Sequence, residues 1–205
     1  MADNPLQYFT DEFSPANEKR KEPSEGSFPE VSRLPHNYGR YTVDEVLSID
    51  LKYEKEPFIV TGYTSLLRVV TLIAGLTDKQ DLRLLIGNEP FPITNAPMSL
   101  VPVTFPEEVK EYWLKKRISL LQYPDVFIAL EKIRMGQVDA AFLEIPGRMM
   151  HAKMVITQDI AMLGSSNFSN AGLRRNIEAN VRFKREEEKE RYTEVAEYAE
   201  ALFSL

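Results

Sequence analysis

Between His151 and Glu178 the chain gathers five side-chain types that can do chemistry together. His151 and Lys153 stand two apart in MMHAKMVI, a run that reads as a buried β-strand. In a strand they share one face, while Met150, Ala152, Met154 and Ile156 line the other. Histidine and lysine are costly to bury without partners, so the run needs a structural or a chemical reason. A tight turn at Gln158-Asp159 sends the chain back through IAMLG, and Gly164-Ser165-Ser166-Asn167 follows beside the His/Lys face. Glu178 comes next, inside IEANVRF, which reads as a further strand. Lysine supplies charge, and serine and asparagine supply neutral hydrogen bonds to phosphate oxygens. An imidazole is a good nucleophile at neutral pH when a carboxylate holds its other nitrogen. A bare His-x-Lys reads more simply as a core histidine beside a lysine reaching for solvent. With Gly-Ser-x-Asn and a glutamate added, the set is a phosphate-handling kit without a metal-ligand pattern.

These residues need a scaffold, and the sequence supplies an α/β one from Glu56 onward. PFIVTGY is a short apolar strand, and Thr64 or Ser65 can cap the helix SLLRVVTLIAGL, which stops near Gly75. DLRLLIG is a second buried strand, followed by the proline-rich loop NEPFPITNAPMSLVPVTFP. A helix opens at Pro106 with Val109, Tyr112, Trp113 and Lys116 at helical spacing, and Tyr112 and Trp113 read as packing rather than base-stacking residues. Pro124 breaks it, PDVFIALEKIRMG resumes as a helix, and VDAAFLEI is a strand. SNAGLRR is a short helix, and the terminal helix carries the apolar stripe Val195, Tyr198, Ala199, Leu202 and Phe203. Residues 1–45 differ: five prolines and the charged stretch NEKRKEPSEG make an extended or partly disordered N-terminal arm ahead of a domain at 46–205. The terminal stripe runs to the last residue, as it would in a helix leading into a further domain.

Composition narrows the class. With 43% hydrophobic and 27% charged residues the chain is that of a soluble globular protein, and its lack of cysteine excludes a disulfide scaffold or a Cys-ligated metal. The N-terminus lacks the basic-then-apolar pattern of a signal peptide, and Leu66–Leu76 is too short to span a bilayer and carries Arg68. A cytoplasmic location follows, with no membrane partner. The net charge of −6 argues against simple coating of nucleic acid, yet phosphate contacts are local, and Arg148, Arg174, Arg175 and Arg182 lie near the motif. KREEEKER reads as a solvated helix face, and no Walker A motif is present.

At His151, Lys153, Gly164, Ser165 and Asn167 the chain resembles the phospholipase D superfamily, whose signature is His-x-Lys-x(4)-Asp-x(6)-Gly-Ser-x-Asn. Glu178 stands where the superfamily's small nucleases carry the glutamate that hydrogen-bonds the histidine, and GYTS and GLRRNIEANV add to the likeness. The resemblance covers 145–182 specifically and the layout from about 56 onward. It departs at the aspartate: Gln158 stands in that place, the aspartate is Asp159, and the interval to Gly164 is one residue shorter. A shorter hairpin can absorb this without moving His151, Lys153 or Asn167.

The resemblance implies an α-β-α sandwich, a mixed β-sheet flanked by helices on both faces. It implies a metal-independent phosphodiesterase or nuclease with no cofactor. Its catalytic residues would be His151, Lys153, Ser165, Asn167 and Glu178, with Asp159 and Arg148 as secondary members. Superfamily enzymes pair two motifs across a pseudo-twofold axis, one histidine forming a phosphohistidine and the other protonating the leaving oxygen. His36, in LPHNYGR, has no motif around it, so a single motif implies a homodimer. The implied partner is nucleic acid, DNA ahead of RNA. Similar domains are fused to Swi/Snf-type helicases or work in restriction enzymes with a separate sequence-reading domain. Alternatives are a catalytically weak nucleic-acid-binding or dimerisation module that keeps the phosphate pocket, and a phospholipid phosphodiesterase or transferase.

Overall fold

The computed structural model describes residues 32–38, 42–87 and 124–205. Most of the N-terminal arm, the proline-rich loop and the helix opening at Pro106 lie outside the described residues.

The strands are β1 (Phe58–Thr61), β2 (Leu82–Gly87), β3 (Val138–Leu143), β4 (Lys153–Ile156), β5 (Ile160–Gly164) and β6 (Asn180–Lys184). They form one mixed sheet in the order β3-β2-β1-β4-β5-β6. β1, β2 and β3 run parallel, and β4, β5 and β6 pair antiparallel, with β1 and β4 meeting at the centre. The described helices are α1 (Val43–Leu51), α2 (Leu66–Gly75), α3 (Pro124–Arg134) and α4 (Lys189–Phe203), with a π-helical turn at Ala171–Arg175.

Strand alternation divides the core between the two faces. Ile59, Leu84, Ile86, Val155 and Met162 pack with Leu47 of α1, Val69 and Ile73 of α2, and Val126 and Ala129 of α3. Phe58, Val60, Leu85, Met154, Ile156 and Ala161 pack with Val195 and Ala199 of α4. The sheet therefore has helices on both faces, as the resemblance implied. The expected stripe on α4 holds except at Tyr198, which is 56% exposed. α4 is fixed at its far end by Arg83, whose guanidinium lies 4.3 Å from the Phe58 ring and 4.7 Å from the Phe203 ring. Arg83 also makes two bonds to the Glu200 carboxylate, at 2.6 and 2.7 Å, which hold that carboxyl below its usual range.

α1 is an element the sequence pattern did not announce. Thr42 accepts from the Glu45 amide and Glu45 accepts from the Thr42 amide, a reciprocal cap in the sequence TVDE. Residue 45, where the sequence pattern changes, sits in the first turn of this helix. Ahead of it, residues 32–38 lie along β6: Arg182 N–H donates to Arg33 O at 3.0 Å and Asn180 N–H to Pro35 O at 3.2 Å. This short segment occupies the hydrogen-bonding edge that β6 would otherwise leave open. Asn37 anchors it, donating to Gly172 O and Asn176 O and accepting from Val43 N–H.

Candidate functional site

The site forms where the parallel and antiparallel halves of the sheet meet, at the carboxyl end of β1. Ligand sites in open α/β sheets favour such switch points. Thr61 pairs with Lys153, and Gly164 pairs with Asn180. With Met154 opposite Leu163, the β4–β5 register continues to place Lys153 beside Gly164. One row thus crosses four strands, Thr61, Lys153, Gly164 and Asn180.

Lys153 is the first residue of β4 and is 5% exposed. Its ammonium donates to the His151 carbonyl at 2.6 Å. Burial pushes its pKa below the usual lysine range, and the Glu178 charge works against that shift. His151 lies two residues ahead of the strand and is exposed, not buried as the run MMHAKMVI suggested. The chain leaves the ladder there because β1 ends at Thr61, so Ala152 and His151 have no β1 residue to pair with. The face assignment survives: Met150, Met154 and Ile156 lie in the α4-side core, with Ala152 packed against it.

Two glycines make room for this bend. A Cβ on Gly62 would lie 3.1 Å from His151 Cα and 3.2 Å from Lys153 Nζ. A Cβ on Gly87, the last residue of β2, would collide with the Met150 carbonyl and lie 2.9 Å from that of Gly62. Thr61, fully buried, donates its hydroxyl to Tyr63 O at 2.7 Å and accepts Phe168 N–H at 2.9 Å. Tyr63 N–H donates to Asn167 Oδ1 at 3.1 Å. The loop after β1 therefore clamps the Gly-Ser-Ser-Asn segment. Ser65, not Thr64, caps α2, and the Thr64 hydroxyl donates to Phe168 O instead.

Glu178 is half-buried and precedes β6 by two residues, outside the strand expected for it. Ser165 occupies the pairing position there, bonded to Ala179 through both its amide and its hydroxyl oxygen. The Ser165 hydroxyl donates to Glu178 Oε2. No hydrogen bond joins Glu178 to His151 among the described residues. Lys153, Ser165, Asn167 and Glu178 are brought to the same end of the sheet as His151.

Asp159 is not part of this group. It sits in the two-residue turn at the other end of β4, which is closed by Thr157 N–H to Ile160 O at 2.8 Å. The turn lies roughly 10 Å from Lys153 at the usual rise of a strand. Its carbonyl accepts from Arg185 N–H, and Tyr192 holds the neighbouring Thr157 carbonyl. The motif shortened by one residue thus closes away from this group. Of the nearby arginines, Arg174 is committed to Asp44 and Arg182 to Asp50 and Ser32 O. Arg148 and Arg175 are exposed. His36 accepts Tyr38 N–H at 3.2 Å and has no motif about it.

Comparison with known proteins agrees with the motif. Residues 101–201 match the family model described as "Cardiolipin synthase, PLD-like domain". Over that stretch the chain resembles the phospholipase D superfamily. No curated protein matches it by sequence. Among solved structures it is similar to NucT from Helicobacter pylori, with a TM-score of 0.48 and 14% identity, covering 79% of this chain and 87% of that one. Nuc from Salmonella typhimurium, a phospholipase D family member, gives 0.48 and 13%, covering 84% and 93%. TrmBL2, an archaeal chromatin protein, gives 0.40 and 12%, covering 88% of this chain and 54% of the other. Among the described residues no helix is long and apolar enough to cross a membrane.

Thr61, Gly62, Tyr63, Gly87 and Asn180 also shape the site; Gly62 and Tyr63 fall in GYTS and Asn180 in GLRRNIEANV, runs noted for their likeness with no role given to these residues. Gly62 and Gly87 each close an apolar strand, which was the available signal.

Proposed function

We propose that the protein is a metal-independent phosphodiesterase acting on nucleic acid through a phosphohistidine on His151. The observation that carries this reading is exposed His151 two residues from buried Lys153, whose ammonium donates to the His151 carbonyl. Nε2 of His151 attacks phosphorus in line, forming an N–P bond as the leaving P–O bond breaks. Lys153 and Asn167 stabilise the charge on the non-bridging oxygens. Ser165 engages Glu178 Oε2, which leaves Oε1 for the Nδ1–H of His151. The leaving oxygen takes its proton from His151 of the partner subunit, which then removes a proton from the water that hydrolyses the N–P bond. A homodimer about a two-fold axis supplies that second imidazole.

A second reading, a nucleic-acid-binding or dimerisation module without turnover, draws on the Glu178 carboxylate being bonded to Ser165 rather than His151. One assay separates the two. Single- and double-stranded DNA and RNA are incubated with the full chain in excess EDTA, wild type beside His151→Asn. The proposal predicts cleavage that His151→Asn lowers by at least about 1,000-fold. Binding with no cleavage supports the second reading, and cleavage only with added magnesium contradicts the proposed mechanism.

A further inference from the structure

Asn180 is 3% exposed and uses its whole amide inside the protein. Its Nδ2 donates to Pro35 O and to Ser166 Oγ, both at 2.9 Å. Its Oδ1 accepts Ser166 N–H at 3.3 Å. Ser166 is itself buried and adjoins Asn167, whose Oδ1 is held from the other side by Tyr63 N–H. Gly164 lies against Asn180 so closely that a Cβ there would collide with Oδ1. The phosphate-binding turn is therefore gripped on one flank by the loop after β1 and on the other by a single buried amide. That amide is fixed in turn by a carbonyl from the segment ahead of α1.

We propose that Asn180 is a positioning residue for the reaction, holding Asn167 in place through Ser166, with Pro35 O as its outer anchor. The catalytic part of this rests on the phosphodiesterase reading; the coupling between Asn180 and the turn does not. Asn180→Asp is the informative change. It keeps the shape and an acceptor for Ser166 N–H, removes both N–H donors, and sets a carboxylate against the Pro35 carbonyl. Unlike a general loss of stability, the effect is confined to one turn and is expressed through one neighbour.

The test has two arms on the full chain. In hydrogen exchange, Asn180→Asp is expected to speed amides 166–169 by at least about tenfold while α2 and β2 keep their wild-type rates. Ser166→Ala, a smaller change, shifts the same amides in the same direction. In kinetics with EDTA, Asn180→Asp lowers kcat by about 100-fold, the effect of a displacement near 1 Å, and changes KM by less than about threefold. In an Asn167→Ala background the same substitution costs less than about threefold, because the residue it acts through is gone. Unchanged exchange at 166–169 in both variants, or equal losses in the two backgrounds, overturns the proposal. An inactive wild type overturns the phosphodiesterase reading alone, since the exchange arm still decides the coupling.

Discussion

Lys153 carries opposite demands from folding and from chemistry. It is buried, its ammonium is satisfied by one carbonyl, and its pKa lies below the ordinary lysine value of 10.5 because of that burial. The unfolded chain therefore binds this proton more readily, and the cost to stability is full below the folded pKa and vanishes as pH rises past 10.5. Lys153→Met should raise Tm at pH 7, by removing the buried charge, while abolishing turnover. Melting curves across pH should show that advantage shrinking as pH approaches 10.5. In the proposed mechanism the charged lysine is the active form, so kcat/KM should fall on an alkaline limb below 10.5. Glu178→Gln removes the charge that opposes the shift, so it should move that limb to lower pH. An unmoved limb would separate Glu178 from Lys153.

At the scale of elements, the β4–β5 hairpin was the most legible part of the chain. Alternation in MMHAKMVI assigned the two faces, the Gln158-Asp159 turn fixed the register, and register alone set Gly164 beside Lys153. What the sequence could not give was where pairing stops. The exposure of His151 depends on β1 ending at Thr61, and that end is set by a loop bonded to Phe168 and Asn167, far away in sequence. Glu178 misses β6 for a similar reason, because Ser165 takes the pairing position beside Ala179. α1 was hidden because its apolar face is only Val43, Leu47 and half-buried Leu51, too few for periodicity to register. Gly62→Ala tests the tight fit: its Cβ would meet two backbone atoms and the Lys153 amine at 3.1–3.2 Å. We expect a loss of about 1–3 kcal/mol in denaturant melts, and a larger loss of activity than stability alone explains.

On the scale of the whole molecule, buried ion pairs tie α1 and the segment ahead of it to the antiparallel half. Asp50 and Arg182 are 5% and 13% exposed at their side chains, and Arg182 also donates to Ser32 O at 2.9 Å. Asp50→Ala, which leaves that guanidinium unpaired, should destabilise the protein by about 3–5 kcal/mol by denaturant titration. The proposed dimer has a candidate rim in Met149 and Ile177, 56% and 81% exposed and close in sequence to His151 and Glu178. Light scattering should show a dimer for the wild type and a monomer for Ile177→Arg, with activity lost alongside. A fully active monomer would remove the need for a second imidazole.

The proposed mechanism requires a covalent bond between His151 and phosphorus. The direct measurement is an alkaline quench of the reaction at early times, in excess EDTA, followed by mass analysis of the peptide containing His151. A substrate-derived phosphoryl adduct is expected on that histidine, decaying as product forms and absent in His151→Asn. Turnover of the same substrate with no adduct, undiminished by His151→Asn, would contradict it.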